Sequence, residues 1–209
     1  MSIDYVLTVF ITIITVVDPL GLVPFYLPIA ARFDLEKQKK IIVRAFFIAM
    51  LVSTCFLFIG KFLFKYLQVD FNSLYIVGGI LLFMIGLDMI YARPRKNKNS
   101  PEEQEALLSC EEVSVFPLAI PMLSGPGTIA TLIMFSSHHN EAANYLVIFS
   151  AMTVAFLLAA LTMRYSSKLL KIFGQVGLNV MDRVMGIILC ALAVQFVTNA
   201  VVNILQRLK

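Results

Sequence analysis

Six stretches of this chain are each long and apolar enough to cross a bilayer: Val6–Ala31, Ile41–Leu67, Leu74–Ala92, Val113–Ser137, Ala142–Met163 and Val184–Leu205. A membrane helix needs roughly 20 mainly apolar residues, and in hydrocarbon every backbone N–H and C=O must be hydrogen-bonded within the protein. The runs therefore commit the chain to an all-helical membrane fold of six transmembrane helices. Composition agrees, with 59% of the 209 residues hydrophobic and 14% charged, against about 45–50% and about 25% in soluble domains. That balance excludes a soluble enzyme, a disordered chain, a collagen-like fibre and a small disulfide scaffold. The net charge of +4 would suggest nucleic acid in a soluble protein. Here basic residues fix membrane orientation, so the lipid bilayer is the expected partner and nucleic acid is not.

Local features refine the spans. Lys61 and Lys65 place the membrane end of the second run near Gly60, and Arg44 snorkels at its other end. The N-terminal Met1-Ser2-Ile3-Asp4-Tyr5 has neither a basic region nor a cleavage pattern, so the first run is expected to be retained. Cys55, Cys110 and Cys190 have no metal-ligand spacing and an odd count; ordinary buried thiols are expected, with no metal and no cofactor. Between the third and fourth runs lies a basic block followed by an acidic one. The chain divides accordingly into a first three-helix repeat (1–92), a cytoplasmic polar linker (93–112) and a second three-helix repeat (113–209).

Assigning connections to alternate sides puts Arg32, Lys37, Lys39, Lys40, Arg44, Arg93, Arg95, Lys96, Lys98, Arg164, Lys168, Lys171 and Arg183 together. The other side receives only Lys61, Lys65, Arg207 and Lys209. The first set belongs in the cytoplasm, with both termini outside, on the periplasmic face.

Shifting the chain against itself by about 107 positions superposes the two halves without gaps. Pro19/Pro126, Lys61/Lys168, Gln68/Gln175, Asn72/Asn179 and Gly79/Gly186 coincide, pairs that shared greasiness explains poorly. Three spans per half is odd, so the halves enter the membrane from opposite sides. Such inverted repeats are common in secondary transporters.

Helices one and four carry interruptions at equivalent midplane positions. The first reads Asp18-Pro19-Leu20-Gly21-Leu22-Val23-Pro24; the second has Pro117, Pro121 and then Ser124-Gly125-Pro126-Gly127-Thr128. Proline removes a donor and glycine permits left-handed backbone. A helix restarting after such a break points free N–H groups inward, which suits a carboxylate, while loose carbonyls suit a cation or ammonium group. Asp18, Pro19, Gly21, Pro24, Ser124, Gly125, Pro126, Gly127 and Thr128 are therefore the expected substrate- or ion-binding residues, against the plainer reading of two proline kinks. For Asp18, an ionisable group at mid-span, a helix-capping role and a ligand role are both open and compatible. Asp88 near the end of span three, its counterpart Gln195, and Asn199 one turn later are secondary candidates. Asp182-Arg183 is expected to be an interfacial pair, and Gly78, Gly79 and Gly86 to allow close helix packing.

Those two elements, Asp18-Pro19-Leu20-Gly21-Leu22-Val23-Pro24-Phe25 and Pro117 through Ile129 with its Ser124-Gly125-Pro126-Gly127-Thr128 core, resemble the MarC family of bacterial inner-membrane proteins, over essentially the whole chain. The resemblance implies a multi-pass plasma-membrane protein related to carriers of small neutral amino acids such as glycine and alanine. The leading expectation is thus a secondary transporter of such solutes, coupled to Na+ or H+ and working by alternating access. The alternative is a channel, or a regulatory or assembly protein without transport activity. An enzyme is not expected: no P-loop lysine motif is present, and His138 and His139 fall in an outer connection away from Ser124.

Overall fold

The computed structural model describes residues 2–66, 68, 70–91, 110–138 and 141–207. The linker expected at 93–112 lies outside them up to residue 109. The described residues are helical or in turns, without strands. Helix α1 spans Ile3–Val17, α2 Val23–Ala30, α3 Leu35–Tyr66 and α4 Phe71–Ile90. Helix α5 (Cys110–Val113) runs into a π-helical segment, Ser114–Leu123, and is followed by α6 (Pro126–His138), α7 (Ala142–Arg164) and α8 (Ser166–Arg207).

Three stretches are long and apolar enough to cross a membrane, Leu35–Leu63, Ala142–Arg164 and Val176–Gln206; Ile3–Val17 and Tyr75–Ile90 are shorter apolar helices. The first and fourth sequence runs are each divided in two, at the expected interruptions. The second run is one helix to Tyr66, which makes α3 about 48 Å long, well beyond a hydrocarbon core of about 30 Å; its membrane-crossing stretch ends at Leu63. One boundary differs from expectation: the last apolar stretch begins at Val176 and not at Val184, in a helix that starts at Ser166 and is interrupted at Gly174, where φ is 62° and ψ 173°. Glycine alone adopts that combination freely.

Side-chain chemistry starts the elements. Ser2 accepts from the Tyr5 amide at 3.3 Å ahead of α1. Asp34 accepts from Lys37 N at 2.8 Å ahead of α3, and Asp70 from Asn72 N at 3.3 Å ahead of α4.

Large apolar side chains cover much of the exterior: Phe47, Leu51, Phe62, Leu146, Leu161 and Ile187 are exposed, while Thr12, Thr15, Ser53, Ser114, Ser136 and Asn144 are buried beside an otherwise apolar core. Exposed apolar side chains on this scale suit a chain whose solvent is lipid. Cys55, expected to be buried, is exposed on α3; its neighbours Ser53 and Leu57 take the inward positions. Buried Ala45 and Ala49 on α3, and Ala151, Ala155 and Ala159 on α7, keep side chains small where helices meet, the packing mode available without a hydrophobic drive between helices. Helix α4 packs most extensively along α8. There a Cβ on Gly79 would lie 2.8 Å from the Ala193 carbonyl oxygen, one on Gly86 2.7 Å from that of Gly186, and one on Gly186 2.8 Å from that of Gly86. Gly79 and Gly86 thus allow close packing, as expected.

Candidate functional site at the two helix breaks

Helix α1 stops because Asp18 turns left-handed, at φ 47° and ψ 70°, a region that aspartate and asparagine visit more readily than other side chains. The Asp18 amide still donates to the Ile14 carbonyl at 2.9 Å, while its carboxylate Oδ1 accepts from the Gly21 amide at 3.2 Å. One residue therefore closes α1 and holds the following turn. Pro19 is buried, and its carbonyl, freed by the break, accepts from Thr162 Oγ1 of α7 at 2.6 Å. Val23 N donates to Leu20 O at 3.0 Å as α2 begins, with a proline in its first turn, the position of Pro24.

Gly21 is required by crowding rather than by its dihedrals. A Cβ there would fall on the Asp18 carboxylate and lie 2.9 Å from Asp182 Oδ1 on α8. The break thus brings two carboxylates from distant parts of the chain to one glycine. Asp182, expected in an interfacial pair with Arg183, stands beside this turn because α8 already runs from Ser166. No local sequence pattern signals that approach.

The second break is built differently. Pro117 and Pro121 do not end the helix; they are carried in the π-helical segment, whose i→i+5 bonding leaves more room for residues that lack a donor. The segment closes with Ser124 N donating to Ala119 O at 2.8 Å. Ser124 Oγ donates to the Ala49 carbonyl on α3 at 2.9 Å, so its 2.8 Å contact with Ser53 Oγ is accepted from Ser53. Thr128 Oγ1 donates back across the break to Leu123 O at 3.0 Å, and Ile129 N bonds Gly125 O at 3.0 Å. Pro126 opens α6. The amides of Gly127 and Thr128 follow in its first turn, where a helix has no internal acceptor to offer. Gly127 sits in close packing: a Cβ would meet the flexible tip of Leu82, Cδ2, at 2.8 Å and Val16 Cγ1 at 3.6 Å.

That last contact joins the breaks. The final turn of α1, at Val16, lies against the first turn of α6, at Gly127. Ile13 and Val16 from α1, with Thr128 and Thr131 from α6, line a narrow crevice too tight for a water molecule. The secondary candidates stand apart. Asp88 is half-buried near the end of α4. Gln195 and Asn199 are exposed and bonded to each other, Gln195 Nε2 to Asn199 Oδ1, at 2.8 Å. The packed face of α8 carries Leu189, Ala193, Phe196 and Ala200, so residues 195 and 199 fall on the other side and contribute nothing to the crevice.

A family model described as MarC family integral membrane protein matches residues 3–205. The chain belongs to the MarC family. Relatives within it include the UPF0056 inner membrane protein YhgN of Escherichia coli, 34% identical over 88% of this chain and 90% of its own length. A UPF0056 membrane protein of Buchnera aphidicola subsp. Baizongia pistaciae is 32% identical over 91% and 92%. Another, from Aquifex aeolicus, is 29% identical over 95% and 92%. No solved structure matches this chain. The protein is accordingly an integral membrane protein of the MarC family, and its two broken helices lie within the matched region.

Proposed function

We propose that this MarC-family protein is a secondary transporter of small neutral amino acids of the glycine and alanine type, working in the bacterial plasma membrane by Na+- or H+-coupled alternating access. The observation that carries the reading is the apposition of two interrupted helices, the last turn of α1 against the first turn of α6. An amino acid presents a carboxylate and an ammonium group. The first-turn amides and positive dipole end of α6 suit the former; the carboxylates of Asp18 and Asp182 suit the latter or a coupling cation.

A two-fold relation between the halves supports the rocking motion this requires. Helices α3 and α7 begin at Leu35 and Ala142, at the same offset that superposes the sequences. The crossing contacts also exchange: Gly79 meets Ala193 as Gly186 meets Gly86, and the offset maps one pair onto the other. An inverted repeat of three spans per half, its basic connections cytoplasmic and both termini outside, accounts for these features together. In reconstituted vesicles, labelled glycine or alanine is expected to accumulate when a Na+ or a proton gradient is imposed, one at a time. Flat uptake under both gradients contradicts the proposal.

A further inference from the structure

Helix α6 carries four hydroxyl side chains among its described residues, and three of them are bonded to carbonyls. Thr128 bonds Leu123 O at 3.0 Å, Ser136 bonds Ile133 O at 2.8 Å and Ser137 bonds Ile133 O at 2.7 Å. Thr131 is the exception. Its side chain is 1% exposed, and its Oγ1 is buried without a hydrogen-bond partner. Threonine in a helix ordinarily satisfies itself on a carbonyl one turn back, and a buried polar atom left open is uncommon enough to require an explanation.

Its location supplies one. Thr131 lies three residues after Thr128, on the same side of α6, and both line the crevice against Ile13 and Val16. Helical side chains lean toward the N-terminus, so Thr131 covers the first turn of α6, where the amides of Gly127 and Thr128 have no acceptor within the helix. We infer that Thr131 Oγ1 is a substrate-binding group whose partner arrives with the solute. Together with the first-turn amides of α6 it takes the solute's carboxylate once the contact with Ile13 and Val16 of α1 parts, since the crevice as it stands is too tight for a water molecule. The inference rests on the transport reading and adds to it a residue that meets the solute.

Thr131→Val keeps the shape and removes the hydroxyl; Thr131→Ser keeps the hydroxyl. Without solute, Thr131→Val is expected to unfold at the parent's temperature or above, since no bond is lost. With labelled glycine its KM is expected to rise about tenfold or more, its glycine-induced thermal shift to vanish, and Thr131→Ser to retain both. A Val variant matching the parent in KM overturns the assignment, as does one that unfolds several degrees early while the Ser variant does not, because the hydroxyl then has a structural partner. A parent that glycine and alanine neither cross through nor stabilise removes the transport reading and the inference together. A parent that responds to them, beside an indifferent Val variant, removes only Thr131.

Discussion

Asp18 combines two functions that a single substitution separates. Its Oδ1 holds the Gly21 amide, and its charge stands beside Asp182 across the same glycine. Asparagine keeps the oxygen and the left-handed backbone and discards the charge. Asp18→Asn is expected to insert normally and unfold near the parent's temperature while losing coupled uptake. Asp18→Ala is expected to lose both some stability and uptake. Parent-like uptake by the asparagine variant at every pH would reduce Asp18 to a cap. A pH dependence of uptake that disappears in that variant would instead identify it as the residue that takes up a proton. Ser124 was singled out in the sequence for a backbone break, and what it does is join that break to α3. Ser124→Ala leaves the Ser53 hydroxyl and the Ala49 carbonyl without their buried partner, at a cost of about 1–3 kcal/mol, measurable as a lower unfolding midpoint. The sequence marks these residues as helix breaks; the groups they meet come from α3 and α8, and no local pattern encodes a contact across that separation.

At the scale of elements, the interruptions were legible because Asp18-Pro19 and Gly125-Pro126-Gly127 break helices by local chemistry alone. The π-helical segment was not, since two prolines four residues apart read as a stop until a wider turn is seen to absorb them. Nor was the facing of Gln195 and Asn199, because matching the two halves fixes position along α8 but not its rotation. Glycine roles divide in the same way. Gly86 meets the Gly186 carbonyl of a crossing helix, which is backbone and cannot rotate aside, whereas Gly127 meets the tip of Leu82, which can. Gly86→Ala is expected to destabilise by about 1–3 kcal/mol, and Gly127→Ala by less. Thermal unfolding of the two purified variants checks the order, and a reversed order contradicts the close crossing of α4 and α8.

For the whole molecule, the proposed orientation rests on charge and the proposed accumulation on the likeness of the two halves. In a background without Cys55, Cys110 and Cys190, a cysteine placed within 95–100 is expected to resist impermeant thiol reagents in intact cells, and one replacing His139 to react. The opposite pattern reverses the proposed sides. The central claim is that one small-amino-acid site between the breaks opens to the two faces in turn, and counterflow tests it without knowledge of the coupling ion. Vesicles loaded with unlabelled glycine and diluted into a trace of labelled glycine are expected to accumulate label transiently above the outside concentration, then release it. Label that only equilibrates, or never enters, contradicts alternating access by this protein.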